Sequence, residues 1–188
     1  MSVPDSILMH TCCAPCLILP YHQLRKEGVQ LGIFWYNINI HPYMEYKHRL
    51  DSLKDFAERE VFEIIMRDEY GLLEFIQNAA VETPGRCRYC YDARMDLTAK
   101  TAVELGYKAF STTLLYSKFQ NHDLLVEIAN AKAEKYGVQF FYRDWRELWS
   151  EGVTLSKMEN MYRQKYCGCI YSEQDRYLGK KKKHEPIS

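Results

Sequence analysis

Seven cysteines fall into three tight groups, and any fold for this chain must account for them first: Cys12, Cys13 and Cys16 in HTCCAPC, Cys87 and Cys90 in RCRYC, and Cys167 and Cys169 in YCGC. None lies elsewhere. Inert core cysteines would scatter along the sequence, and a disulfide framework would space them around a small, loop-rich chain. Cysteines separated by none, one or two residues instead let neighbouring sulfurs reach one metal ion or one cluster. A fold that joins the three groups must bring distant stretches of chain to one crevice.

A chain of 188 residues with 47% hydrophobic content is long enough to bury one core without disulfide staples. The opening MSVPDSILMH has neither the positively charged start nor the apolar run of a signal peptide, and no later run approaches a membrane span. A cytoplasmic protein with no membrane segment is expected, and thiols in that compartment are kept reduced. That again favours metal ligation over structural disulfides, while leaving room for a catalytic one.

Short apolar or aromatic runs at SILMH (6–10), VQLGIFWYNI (29–38), FEIIM (62–66), KAFSTTLL (108–115) and VQFFYR (138–143) read as strands. Helical patterns lie between them. The first ends at Gly28, the second opens at Pro42 with Leu50, Leu53, Phe56 and Ala57 on one face, and the third carries Leu72, Leu73, Phe75, Ile76 and Ala79. A fourth follows a Pro84-Gly85 turn, and a fifth runs from an Asn121 cap to Gly137. Ser156 with Glu159 fits a capping box, which predicts a last helix reaching Cys167. The alternation predicts a single α/β layered domain over residues 1–178, with a mostly parallel sheet and helices on both faces, followed by a basic, flexible tail at 179–188. Sites in such sheets form beyond the carboxyl ends of strands, where HTCCAPC and STTLLYSKFQNH both fall.

Four thiolates complete a cubane iron-sulfur cluster or a tetrahedral zinc, so seven exceed one simple centre. Cys87-x-x-Cys90 opens a helix whose dipole, with Arg86 and Arg88, favours thiolate, and Cys12-Cys13 lie in a loop leading to a helix. These four are the expected cluster ligands. Adjacent cysteines strain to clamp one small ion but can take separate corners of a 4Fe-4S cube, which favours iron-sulfur over zinc. Cys16, Cys167 and Cys169 are left over. They can hold an additional mononuclear iron, or Cys167 and Cys169 can cycle between dithiol and disulfide across the flexible Gly168. His10 reads as a satisfied strand-end histidine. Tyr116, Tyr43 and Asp144 are candidate acids, with Tyr116 the expected proton donor.

Lys plus Arg and Asp plus Glu both total 25, so no global field draws the chain to a polyanion and nucleic-acid binding must use local patches. Two such patches are Arg86, Arg88 and Arg94, interleaved with Tyr89 and Tyr91, and the run Lys180, Lys181, Lys182 and Lys183.

Taken in order, HTCCAPC, YNINIHPYMEY, RCRYCYDAR, FSTTLLYSKFQNH and QKYCGCIYS resemble the QueH-type epoxyqueuosine reductases over roughly residues 8–175. The resemblance implies two-electron deoxygenation of an epoxide to an alkene in tRNA carrying epoxyqueuosine, with an iron-sulfur centre fed by an external low-potential electron donor. It places the cluster on Cys12, Cys13, Cys87 and Cys90, and gives Cys167 and Cys169 as a redox-active pair or as ligands of an adjacent iron. The sheet expected here also looks like that of the adenine nucleotide hydrolase-like (HUP) fold. ATP-using members of that fold cradle pyrophosphate in a glycine-rich loop after the first strand, whereas this chain has no glycine before Gly28, so no ATP is expected. The same missing loop counts against an iron-sulfur-dependent tRNA sulfur transferase. A thiol-disulfide reductase acting through Cys167 and Cys169, and a zinc-stabilised RNA-binding module, remain as alternatives.

Overall fold

The computed structural model describes residues 3–80 and 85–179. The lysine run at 180–183 lies outside them, as does Pro84 of the expected turn. Five strands form one parallel sheet: β1 (Ser6–His10), β2 (Gln30–Trp35), β3 (Ile64–Met66), β4 (Ala109–Thr112) and β5 (Gln139–Phe140), in the order β3-β2-β1-β4-β5. All the strands but β1 are shorter than the sequence runs. KAFSTTLL leaves the sheet at Thr113 in a 3-10 turn, Thr113–Tyr116, because the Thr112 hydroxyl accepts the Leu114 backbone N–H and ends the extended run.

Central β1 pairs with β2 from Ser6↔Gln30 to His10↔Phe34 and with β4 from Ile7↔Ala109 to His10↔Thr112. Its Ile7, Leu8 and Met9 have no solvent exposure, as a strand covered on both faces requires. Parallel neighbours need helical crossovers. These are α1 (Ala14–Lys26), α2 (Tyr43–Glu60), α3 (Leu72–Ala79) with α4 (Gly85–Glu104), and α5 (His122–Tyr136). Helix α1 packs on α2, and α4 packs on α3 and α5, so the sheet is a doubly wound core. Chain order reverses direction between β1 and β4. The crevice at their carboxyl ends is the topological switch point at which such sheets bind ligands.

The predicted last helix is corrected by the structure. Helix α6 (Trp149–Met158) stops well before Cys167, and α7 (Ile170–Tyr177) begins after Cys169. Ser156 caps nothing, since its hydroxyl bonds back to Val153 O (3.0 Å) inside α6. Asn160 takes a left-handed φ of 51°, while Met161 N bonds Ser156 O (2.9 Å) and Asn160 N bonds Lys157 O (3.1 Å). That pairing is a helix stop. Helix α6 packs on α1 and closes against Tyr116 at Gly152, where a Cβ would lie 2.1 Å from the Tyr116 hydroxyl oxygen.

No helix among the described residues is long and apolar enough to cross a membrane.

Candidate metal centre

At the end of β1 the chain turns directly into α1, and that junction carries the first thiols. Cys13 caps α1 in extended conformation with Pro15 in the first turn, which brings Cys16 round to the same side. The sulfurs of Cys12, Cys13 and Cys16 all lie within 4.8 Å of one another and are buried. Thr113, at the end of β4, pins the loop by accepting Cys12 N–H (3.1 Å) and donating to Cys12 Sγ (3.4 Å). Asn37 Nδ2 donates to Thr11 O from the end of β2 (2.9 Å). Hydrogen bonds from Cys13, Cys16 and Thr113 draw the Cys12 pKa well below that of a free thiol. Burial pushes Cys13 up, and the hydrogen bond to Cys12 does the same to Cys16. Three soft sulfurs this close are a donor set that suits iron-sulfur or zinc and suits no hard, oxygen-seeking ion.

The other four thiols lie near enough to influence one another electrostatically. Cys87 and Cys90 lie in the first turns of α4, and Cys90 packs with Cys169, Phe75 and Ala79 in a small satellite core. A charge on Cys169 raises the pKa of Cys87, Cys90 and Cys167, although burial is the larger cause for each and takes Cys90 to about 12. The expected cluster set therefore draws two sulfurs from each group, and Cys16 stands with Cys12 and Cys13.

Two buried guanidinium groups link the groups. Arg94, one turn after Cys90, donates from Nη2 to Cys90 Sγ (2.9 Å) and from Nε to Cys90 O (3.0 Å). Its charge also bears on Cys12 and Cys167. Arg49 of α2, with no exposure, donates to Cys167 O (2.9 Å), Tyr166 O (3.0 Å) and Glu45 (2.7 Å), and its charge bears on Cys13 and Cys12. A positive charge beside several sulfurs favours their thiolate forms.

The Cys-Gly-Cys turn is clamped from its backbone. His41 N–H donates to Gly168 O (2.8 Å), Tyr166 hydroxyl donates to His41 O (2.7 Å), and Gly168 N–H donates to Ser172 Oγ (3.2 Å). Gly168 has φ +144°, and a Cβ there would lie 3.2 Å from Asn39 Nδ2 and 3.3 Å from Arg49 Nη1. Gly168→Ala is expected to destabilise the fold by about 1–3 kcal/mol through that backbone strain, read from chemical denaturation.

Two glutamines reach the sulfurs from outside. Gln120 Nε2 donates to Cys167 Sγ (3.3 Å) while its Oε1 accepts from Tyr91 hydroxyl (2.8 Å). Gln164 Nε2 donates to Cys13 Sγ (3.1 Å), leaving its Oε1 buried without a partner among the described residues.

Several expected residues sit otherwise than the sequence suggests. Arg94 is only 1% exposed, so it faces sulfur and is withdrawn from the phosphate-binding set. Arg86 pairs with Asp175 (2.7 Å), and the exposed Arg88 pairs with the exposed Glu127 (3.0 Å). His10 has both ring nitrogens engaged, Nε2 with Tyr36 O (3.1 Å) and Nδ1 with Thr112 Oγ1 (2.9 Å), and burial lowers its pKa to about 3. Asp144 is held near pKa 2 by hydrogen bonds from Arg146. Tyr43 stands exposed at the start of α2. Tyr116 is buried beside the first thiol group, donates to Trp149 O (3.1 Å), and has its pKa raised by burial and then by Cys16 and Cys13. Arg49, His41, Gln120 and Gln164 were given no role by the sequence.

A family model described as epoxyqueuosine reductase QueH matches residues 7–175. An epoxyqueuosine reductase QueH from Dehalococcoides mccartyi is 38% identical over 171 residues, covering 91% of this chain and 94% of that protein. One from Thermotoga maritima is 36% identical, covering 97% and 96%. Among solved structures, the U34-tRNA thiolase NcsA from Methanococcus maripaludis with its [4Fe-4S] cluster superposes with a TM-score of 0.56 at 14% identity, over 91% of this chain and 62% of that one. A predicted subunit of tRNA methyltransferase from Methanocaldococcus jannaschii gives 0.51 at 14% identity, over 89% and 94%. At that identity the two structures bear on the fold alone.

Proposed function

The chain belongs to the QueH family of epoxyqueuosine reductases, and on that footing we propose that it deoxygenates epoxyqueuosine in tRNA at the thiol-lined crevice between β1 and β4. The observation that carries the reading is the convergence of three separate cysteine groups at the switch point of a sheet whose first loop has no phosphate cradle. The reaction breaks both C–O bonds of the epoxide, forms the C=C bond, and releases the oxygen as water, consuming two electrons and two protons. An external low-potential donor supplies the electrons.

Cys12, Cys13, Cys87 and Cys90 are the proposed ligands of a 4Fe-4S cluster. Cys16, Cys167 and Cys169 remain for a mononuclear iron, or Cys167 and Cys169 for a dithiol that cycles to a disulfide. When bound, such a centre delivers electrons singly and can polarise an oxygen at an open iron position. Arg94 and Arg49 offset the thiolate charge that would otherwise accumulate in a dry site. Gln120 and Gln164 orient sulfurs by N–H donation. Tyr116, kept protonated by burial and by the thiols beside it, is the proposed proton donor to the departing oxygen.

The test is anaerobic reconstitution followed by incubation with epoxyqueuosine-containing tRNA and a low-potential reductant. A released nucleoside lighter by one oxygen supports the reading; an unchanged one overturns it. Cys167→Ser and Cys169→Ser are expected to be inactive while keeping cluster absorption, and loss of the cluster in both would show the ligands to be divided otherwise. Iron counting on reduced protein separates the two roles of that pair, with about four irons for a dithiol and about five for an added metal.

A further inference from the structure

Arg94 faces sulfur, and Arg86 and Arg88 each have a carboxylate partner, whereas other cations near the thiols have none among the described residues. Two segments at the crevice mouth share one plan: each sends a glutamine inward to a thiol and presents cations outward. In the segment after α6, Tyr162 hydroxyl donates to Glu45, Gln164 to Cys13 Sγ (3.1 Å) and Tyr166 hydroxyl to His41 O (2.7 Å). The intervening Arg163 and Lys165 are exposed and have no ion-pair partner among the described residues. The alternation in exposure puts Arg163 and Lys165 on the outer side of the segment.

The second segment follows the 3-10 turn. Lys118 is exposed and unpaired among the described residues, and Phe119 is 78% exposed on a turn fixed by Phe119 N–H to Ser117 Oγ (3.3 Å). Gln120 anchors the far end at Cys167 Sγ (3.3 Å), and Asn121 N–H donates to Tyr91 hydroxyl (3.0 Å). Behind Phe119 is an aromatic stack. Its ring meets Trp149 edge-on at 5.5 Å, and Trp149 lies against Tyr116 at 5.2 Å. This segment's Gln120 reaches Cys167, two residues beyond Lys165, which brings the two segments together. A large aromatic held out in water on a buttressed stack, with unpaired cations along the same rim, lacks a structural reason and has a binding one.

We propose that this rim grips a single-stranded RNA loop, with Phe119 stacking on an unpaired base and Lys118, Arg163 and Lys165 meeting the phosphates beside it. The inference rests on the tRNA reading above and adds to it the surface that presents the modified nucleoside. Phosphate contacts set position and salt dependence, and stacking on a splayed-out base tolerates neighbouring sequence.

The experiment measures binding of epoxyqueuosine-containing tRNA to the iron-loaded protein across a salt series, alongside conversion. Arg163→Gln and Lys165→Gln are each expected to weaken binding and to flatten the log-log salt slope by about 0.7. Phe119→Ala is expected to weaken binding about tenfold with the slope unchanged, and Phe119→Tyr to restore it. Lys100→Gln, on the outer part of α4, is the control and should leave the slope alone. Iron content and far-ultraviolet circular dichroism confirm that each variant is folded. A wild-type protein that converts the tRNA, with rim variants matching it in affinity and slope, overturns the surface and leaves the reaction standing. So does an equal effect from Lys100→Gln. Binding that depends on the rim, without deoxygenation, supports the surface and removes the reductase reading.

Discussion

Serine in place of Cys13 is expected to strip most of the bound iron and to cost more than about 100-fold in activity, beyond the loss typical of a residue that only supports a ligand. A hard hydroxyl replaces a soft thiolate at a buried corner of the centre. The same change should leave the fold intact. Cys13 occupies the N-cap of α1 in extended conformation and makes no side-chain cap bond there, and serine is a better cap than cysteine. Iron counting and activity can then be read against an unaltered or raised melting temperature. Cys90→Ser is expected to lose iron likewise, since it replaces the soft sulfur that Arg94 faces at 2.9 Å with a hard hydroxyl. Full iron and near-normal activity in both variants would overturn the ligand assignment.

The second large effect is on stability. Arg49→Met should destabilise the protein by about 3–5 kcal/mol, the cost of leaving a buried charge without its partner. Arg49 has no solvent exposure, its Nε is paired with Glu45 at 2.7 Å, and its other nitrogens hold the carbonyls of Tyr166 and Cys167. Methionine fills much of the volume but leaves Glu45, itself 7% exposed, facing Tyr162 alone. The same substitution unties the Cys-Gly-Cys turn, so faster alkylation of Cys167 should accompany the lowered denaturation midpoint. A variant with wild-type stability and unchanged thiol reactivity would show that the turn is held elsewhere.

Much of this architecture was legible because local rules and the global fold agree. Apolar runs fixed five strands in place, and Asn121 and Gly137 bounded α5 as their side chain and backbone freedom require. The last helix failed because Ser156 and Glu159 satisfy a capping pattern that competes with a helix already running through them. Only the Asn160 stop decides that contest. Cysteine spacing revealed the chemistry of the site, but not that Cys16 joins Cys12 and Cys13 within 4.8 Å. Arg94 was misread for a related reason: a basic residue near tyrosines looks alike in sequence whether it faces RNA or a thiol, and only its place one turn after Cys90 on a buried face separates the two. Arg49, Gln120 and Gln164 left no signal, since their partners lie far along the chain: Arg49 meets residues 166 and 167, Gln120 meets Cys167, and Gln164 meets Cys13.

That remoteness governs when the centre can come into being. Its walls come from the β1 exit, the head of α4, the β4 exit and a turn that closes only after Cys169, and the turn is tied back to α2 through Arg49. A nascent chain released before that turn holds the proposed cluster thiols but lacks Cys167, Cys169 and the backbone carbonyls that Arg49 grips. A cluster held as proposed, across the β1 exit and the head of α4, would bind the native arrangement better than the unfolded chain, so loading would deepen the native basin. Iron content would then report folding as well as catalytic competence.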